Sequence, residues 1–216
     1  MDAGPFHLPI ALDLAATLLF AVTGALAGVK KGYDLVGICV LALVTGLGGA
    51  LLRDGLFLQQ GPPAVLVDPR YLGAVLAGTI VGIAFGRHLH RLNLVFSVAD
   101  ALALGTYAVV GGQKSLAAGL PALAATLVGV VNAVGGSLLR DVLVHQEPLV
   151  FRPGEFYALA ALGGVVVHLA LVALGVGAVP AALAGIAAAF VVRMLSLTLG
   201  WRTGAFHGDE PWDRGG

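Results

Sequence analysis

The sequence contains few charged residues. Only 11% of its 216 residues are Asp, Glu, Lys or Arg, whereas 58% are apolar. A soluble domain carries about 25% charged residues, and a chain of this size could not bury so much apolar surface within itself. The shortage of charge therefore excludes an ordinary soluble domain and predicts an integral membrane protein.

Cysteine and basic tracts are also scarce. The single cysteine, Cys39, excludes an intramolecular disulfide and a Cys-based zinc cluster, and we expect it to be a small buried apolar side chain. The formal net charge is zero and no basic tract is present, so nothing indicates nucleic-acid binding. Phosphate-binding motifs and nucleophile–base arrangements are missing as well, and we predict that the protein is not an enzyme.

Long apolar runs predict seven transmembrane helices. A spanning helix needs about 20 residues, and these runs are longer and less alternating than barrel strands. No Lys or Arg precedes the first run, so we expect a retained span rather than a cleaved signal peptide. The expected spans are 8–29, 35–59, 71–86, 92–112, 115–139 and two within 156–192 that join near 175–180, with a turn at Gln113 and Lys114 and a polar tail from Trp201.

The sequence contains an internal repeat. The segments 13–54 and 100–141 align without a gap at an offset of 87 residues, with 13 identities in 42 positions. Both end in Leu-Leu-Arg-Asp, and both begin with aspartate, Asp13 and Asp100. Since each repeat would hold three spans, the second must be inverted in the membrane, as in many transport proteins.

The repeat defines the expected organisation. We predict a first three-helix repeat in residues 1–92, an inverted repeat in 93–178, a seventh helix in 179–200 and a cytoplasmic tail in 201–216, all within one structural domain. Basic residues are enriched in cytoplasmic loops. One side of the predicted membrane protein carries seven basic loop residues and the other side two, which favours an outer N-terminus and a cytoplasmic C-terminus. The seven are Lys30, Lys31, Arg87, Arg91, Arg152, Arg202 and Arg214, and the two are Arg70 and Lys114.

Paired glycines lie at matching positions in spans 2 and 5. Clustered glycine permits a kink or local unwinding of a helix, and the freed carbonyls could coordinate a cation near the midplane. Close helix packing is the alternative interpretation. The candidate pathway residues are Thr45, Gly46, Gly48, Gly49, Asn132, Gly135, Gly136 and Ser137.

Charged residues lie inside the predicted spans. Intramembrane charges are costly, so they face the protein interior, form pairs or mark a transport pathway. The estimated depths predict an Asp13–Arg53 pair near the outer side and an Asp100–Arg140 pair near the cytoplasmic side. These pairs could act in gating or could only lock helices together, and the adjacent Asp54 and Asp141 are alternative partners.

The histidines are weaker candidates for a function. We expect His168 in span 6 to be a hydrogen-bonded packing residue rather than a proton relay. His88 and His90 lie in a polar joint between spans 3 and 4, where we do not expect metal binding.

The duplicated strings GLGGALLRD at 46–54 and AVGGSLLRD at 133–141 resemble the trimeric intracellular cation channel family, whose bacterial members are also labelled putative glycine transporters. The resemblance spans roughly residues 8–200. It implies a homotrimer in the inner membrane, with a cation pore in each protomer between kinked spans 2 and 5, contacts with membrane lipids, and no cofactor beyond the permeant K⁺ or Na⁺. It also suggests Lys114 as an external plug.

Two functions remain open at this stage. The first is a potassium-permeable channel for monovalent cations. The second is a secondary transporter of a small zwitterion such as glycine, because inverted repeats serve both classes of protein.

Overall fold

The computed structural model describes residues 8–86, 92–152 and 156–201, and all the regular secondary structure in them is helical. Six of the helices are long and apolar enough to cross a membrane, and a seventh, of 17 residues, is shorter. The predicted class of helical membrane protein is therefore confirmed. The helices are α1 Ile10–Lys30, α2 Leu35–Leu52 with a π-helical extension Arg53–Leu58, α3 Ala64–Val67, α4 Pro69–Gly86, α5 Leu92–Ala117, α6 Ala122–Leu143, α7 Tyr157–Ala173 and α8 Ala178–Leu199.

The two three-helix units have opposite orientations. The helix α1 packs against α2 and α4, and α5 packs against α6 and α7 in the same way. The start of α1 meets the end of α5, because Asp13 contacts Lys114. The helices α2 and α6 cross each other, and α8 packs on α5 and α7.

Glycines end the first helix of each repeat in the same way. Gly32 and Gly119, which the offset of 87 relates, have φ of 72° and 88°. The amide of the next residue then reaches back five positions, from Tyr33 to Gly28 and from Leu120 to Ser115. This closure is the Schellman motif, which favours glycine because other residues rarely adopt a positive φ.

The predicted turn at Gln113 and Lys114 is wrong. Both residues lie within α5, which continues to Ala117. The turn comes at Gly119, and Pro121 is the residue immediately before α6. Gly119 and Pro121 are the stronger chain-ending signals, since they restrict the backbone directly. Oε1 of the buried Gln113 instead accepts a hydrogen bond from Nε2 of His168 on α7 at 2.9 Å, as expected for a packing histidine.

The expected helix breaks at the glycines are not observed. The chain is α-helical at every residue of Leu35–Leu52 and of Ala122–Leu143. Helical hydrogen bonding changes only beyond the glycines, where the π-helical segment begins at Arg53. Because the backbone carbonyls stay within regular helix, the glycines do not act by freeing them.

The glycines instead form the crossing of α2 and α6. A β-carbon on Gly49 would overlap the carbonyl oxygen of Asn132, and one on Gly136 would overlap that of Thr45. The neighbouring pair is also reciprocal, because a β-carbon on Gly48 would lie 2.8 Å from Leu139 Cδ1 and one on Gly135 would lie 2.8 Å from Leu52 Cδ1. Close packing, the alternative interpretation, is therefore what the structure shows.

Candidate functional site

Buried charges form two clusters at opposite ends of the helices. We call these the Asp13 end and the Asp100 end. Asp100 and Lys114, both on α5, belong to different clusters and are 14 residues apart, so the clusters are about 20 Å apart along the helix axis. The Arg53 and Arg140 side chains are 0% and 2% exposed, so both lie inside the protein rather than in lipid.

At the Asp13 end, the predicted Asp13–Arg53 pair is wrong. Asp13 Oδ2 accepts a hydrogen bond from the Tyr71 hydroxyl at 2.7 Å and one from Lys114 Nζ at 2.6 Å. The depth estimate failed because Lys114 was placed in a loop, whereas the longer α5 carries it to the start of α1.

Arg53 turns to its neighbour in the chain. Its Nε lies 2.6 Å from Asp54 Oδ1, and its Nη1 donates to Asn132 Oδ1 at 3.4 Å. The guanidinium therefore connects the end of α2 to the middle of α6, next to the glycine crossing.

At the Asp100 end, the predicted Asp100–Arg140 pair is present. Arg140 Nη1 lies 3.1 Å from Asp100 Oδ1, and its Nε lies 2.9 Å from Asp141 Oδ1. The same Nη1 donates to the Thr23 hydroxyl at 3.2 Å, and the guanidinium lies 5.1 Å from the centre of the Phe96 ring. Two carboxylates and a π face thus offset the cost of burying this cation.

The second aspartate of each repeat has the same position in both clusters. Each of these aspartates accepts hydrogen bonds from the preceding arginine and from a later backbone amide. Asp54 binds Arg53 with both carboxylate oxygens, and its Oδ2 also accepts from the Ala64 amide at 3.3 Å. Asp141 binds Arg140 Nε through Oδ1 and accepts from the Leu149 amide through Oδ2 at 3.2 Å. The Arg-Asp dipeptide therefore directs the arginine inward while the aspartate anchors the loop that follows.

Between the two clusters, Tyr107 closes the interior. Its ring is fully buried, and its hydroxyl donates to the Gly46 carbonyl at 2.6 Å and lies 2.6 Å from the Thr17 hydroxyl. Asn132 Nδ2 donates to the Tyr107 carbonyl at 2.6 Å. These contacts join α1, α2, α5 and α6 in one polar layer.

Each cluster faces a cavity. The cavity at the Asp13 end has a volume of about 640 Å³ and includes Asp54, Asp68 and Lys114 in its lining. Hydrogen bonds from the Arg70 guanidinium lower the pKa of the partly exposed Asp68 carboxyl, so this carboxylate stays charged and paired with Arg70.

The cavity at the Asp100 end has a volume of about 420 Å³. Arg140 and Asp141 lie at its base, and Lys30, Lys31 and Arg152 are among its lining residues. Tyr107 lies midway between Asp100 and Lys114 on α5, so its layer of buried polar groups lies between the levels of the two cavities.

The structure brings most of the predicted residues into this interior. The hydroxyls of Thr45 and Ser137 donate within their own helices, to Leu41 and Val134. Sequence reasoning missed Thr17, Tyr71 and Tyr107, although Tyr107 was detectable as a lone polar aromatic within an apolar span, aligned with Phe20. His88 and His90 lie outside the described residues.

Comparison with known proteins identifies the family. A family model described as glycine transporter matches residues 10–87 and 97–173. The structure is similar to that of the trimeric intracellular cation channel orthologue from Rhodobacter sphaeroides, with a TM-score of 0.83, 35% identity and coverage of 88% of this chain and 97% of that one. The chain belongs to the trimeric intracellular cation (TRIC) channel family.

Other relatives agree with this assignment. A second solved structure, from work on conductance through TRIC cation channels, has a TM-score of 0.80 and 30% identity. The match covers 93% of this chain and 98% of that one. A UPF0126 membrane protein of Streptomyces coelicolor is 44% identical over 88% of this chain and 87% of its own length. The UPF0126 inner membrane protein YadS of Escherichia coli K12 is 35% identical over 73% and 75%.

Proposed function

We propose that this TRIC family member is a potassium-permeable channel for monovalent cations, with one pathway in each protomer of a homotrimer. The observation that supports it most is the succession of buried polar groups from the cavity beside Asp54 and Lys114 to the cavity beside Arg140. A path lined with polar groups in an otherwise apolar bundle is what ion passage across a membrane requires.

The pathway is closed in this conformation at two levels. Tyr107 bridges Thr17 and the Gly46 carbonyl in the middle, and the Lys114 ammonium occupies the carboxylate of Asp13 at one end. Lys114 is then a tethered cation on a site that a permeant ion would otherwise use. This geometry supports its proposed role as a plug.

We place the Asp13 end outside and the Asp100 end in the cytoplasm of the inner membrane. Lys30, Lys31 and Arg152 around the Asp100-end cavity follow the enrichment of basic residues on the cytoplasmic side. The α1 N-terminus is then outside, and the chain after α8 is in the cytoplasm.

Glycine transport is the second candidate, because the matching family model carries that description. Lys114 and Asp54 in the Asp13-end cavity offer a cation for a carboxylate and a carboxylate for an ammonium group. A transporter would bind the zwitterion saturably and would not pass a sustained current.

Purified protein in planar bilayers separates the two candidates. Unitary currents carried by K⁺, from material that mass measurement shows to be trimeric, are the expected result. Saturable glycine uptake into proteoliposomes without unitary currents would reject the channel and favour the transporter. A stable monomer or dimer in detergent would reject the trimer.

A further inference from the structure

The two ends of the molecule hold matching side chains in different arrangements. At the Asp13 end, the tyrosine binds the aspartate, and Arg53 is turned away toward Asp54 and Asn132. At the Asp100 end, the arginine binds the aspartate through Arg140 Nη1. Except for Lys114, whose position the offset of 87 relates to Ala27, the same kinds of side chain are therefore paired differently at the two ends.

Tyr157 is the counterpart of Tyr71. Tyr71 lies in the first turn of α4 and Tyr157 is the first residue of α7, 86 residues later, close to the repeat offset of 87. Both are 1% exposed. Asp100, Arg140 and Arg193 are the charged groups near the Tyr157 hydroxyl. Within the described part of the chain, this hydroxyl forms no hydrogen bond of normal geometry, although the Ser137 side chain is near enough to interact with it.

The last helix fixes the position of Tyr157. The Arg193 guanidinium on α8 lies 4.9 Å from the centre of the Tyr157 ring, and Arg193 is only 4% exposed. Ser196 Oγ accepts a hydrogen bond from the Phe156 amide at 3.0 Å, and the Phe156 ring lies 5.9 Å from that of Trp201. The helix α8, which belongs to neither repeat, therefore holds the first turn of α7 beside Asp100.

A buried hydroxyl without a well-formed hydrogen bond is unfavourable, so its retention beside a carboxylate suggests a better partner in another state. In secondary transporters built from inverted repeats, one repeat rocks against the other largely as a rigid body, and the same repeat symmetry is present here. The Tyr71–Asp13 arrangement at one end therefore indicates how Tyr157 and Asp100 could pair at the other end.

We propose that Tyr157 is a positioning residue of a second state, in which its hydroxyl donates to Asp100 as the Tyr71 hydroxyl now donates to Asp13. Arg140 then leaves Asp100 and turns toward Thr45, the residue that the offset of 87 relates to Asn132. Arg193 keeps the ring in place for this exchange. The second state is the conducting one, and that part rests on the proposed channel function.

The test compares two substitutions that each remove one hydroxyl. Tyr157→Phe keeps the ring and its contact with Arg193 but removes the donor needed in the second state. It should lower the open probability in bilayers roughly tenfold, the effect of one hydrogen bond to a charged group, without changing the unitary conductance. Tyr71→Phe removes a bond of the present state and should raise the open probability. A Tyr157→Phe open probability equal to or above wild type would overturn the proposal.

Substitutions of Arg193 provide the control for position. Arg193→Lys keeps a cation over the ring and should resemble wild type, whereas Arg193→Gln should lower the open probability as Tyr157→Phe does. If Arg193→Lys and Arg193→Gln have the same open probability, Arg193 does not act through the Tyr157 ring, and its part in the proposal is wrong.

Thermal unfolding tests the proposal independently of current. Tyr71→Phe should lower the unfolding midpoint, and Tyr157→Phe should leave it unchanged or raise it. If wild type carries no current, the proposed channel is rejected, and this comparison decides the exchange alone. If the two substitutions lowered the unfolding midpoint equally, the Tyr157 hydroxyl would already be hydrogen-bonded in the present state, and the proposal would be overturned.

Discussion

The carbonyl oxygen of Asn132 occupies the space that a β-carbon on Gly49 would need. The offset of 87 relates Gly49 to Gly136 and Asn132 to Thr45. The Thr45 carbonyl oxygen likewise occupies the space that a β-carbon on Gly136 would need. The crossing of α2 and α6 is thus built from two copies of one contact. Small residues at this crossing allow the two backbones to touch.

Gly49→Ala and Gly136→Ala should therefore destabilise the protein, although alanine is the better helix former. Helix propensity favours alanine by about 1 kcal/mol, but a methyl group in a filled site costs about 1–3 kcal/mol or more when the neighbour is backbone and cannot move away. Thermal unfolding in detergent measures the outcome.

Glycines with open space provide the matched control. A β-carbon on Gly73 in α4 or on Gly163 in α7 meets no atom within 4 Å among the described residues. Alanine at these positions should be neutral or stabilising. If the crossing and control substitutions gave equal midpoints, the crossing would be looser than the structure shows.

Lys114→Gln should make the channel open more readily. The substitution removes the ammonium group that occupies the Asp13 carboxylate, so this carboxylate becomes available to a permeant cation. Open probability should rise and its voltage dependence should weaken in bilayer recordings. Unchanged gating would show that Lys114 is not the plug. Arg70→Gln, an exposed basic residue near the same end, is the control for a general change of surface charge.

Asp13 and Lys114 should tolerate exchange better than single substitution. Removing one partner of a buried pair costs about 3–5 kcal/mol because the other charge stays behind. Asp13→Asn should lower stability strongly, and Asp13→Lys combined with Lys114→Asp should recover part of the loss. A double variant less stable than both single variants would contradict direct pairing. Exchange of Asp13 with Arg53, the pair that the estimated depths predicted, should bring no recovery.

Reporter fusions test the proposed orientation. Fusions after Arg152 and after Arg202 should both report a cytoplasmic position, because seven spans place these sites on the same side. A periplasmic signal at either site would reject the orientation or the number of spans.

The helical membrane fold was predictable because lipid requires long apolar segments, and the repeat was visible in shared glycines and Leu-Leu-Arg-Asp strings. The Asp100–Arg140 pair was predictable from equal depth. The Asp13–Lys114 pair was not, since it depends on where α5 ends, and Gly119 and Pro121 set that end. Nor could the sequence decide between unwinding and close packing at the glycines, because that choice depends on the residue facing each glycine from another helix.

The reciprocity of the glycine crossing bears on how such a chain could originate. Two separate three-helix proteins, inserted in opposite directions, could form the same crossing as an antiparallel homodimer, in which every substitution would appear twice. Fusion of the two copies into one polypeptide removes this constraint. One half can then acquire a π-helical extension at Arg53 while the other keeps a regular helix to Leu143, and α8 can associate with a single half. Functional asymmetry between the two membrane faces becomes available to selection only after that fusion.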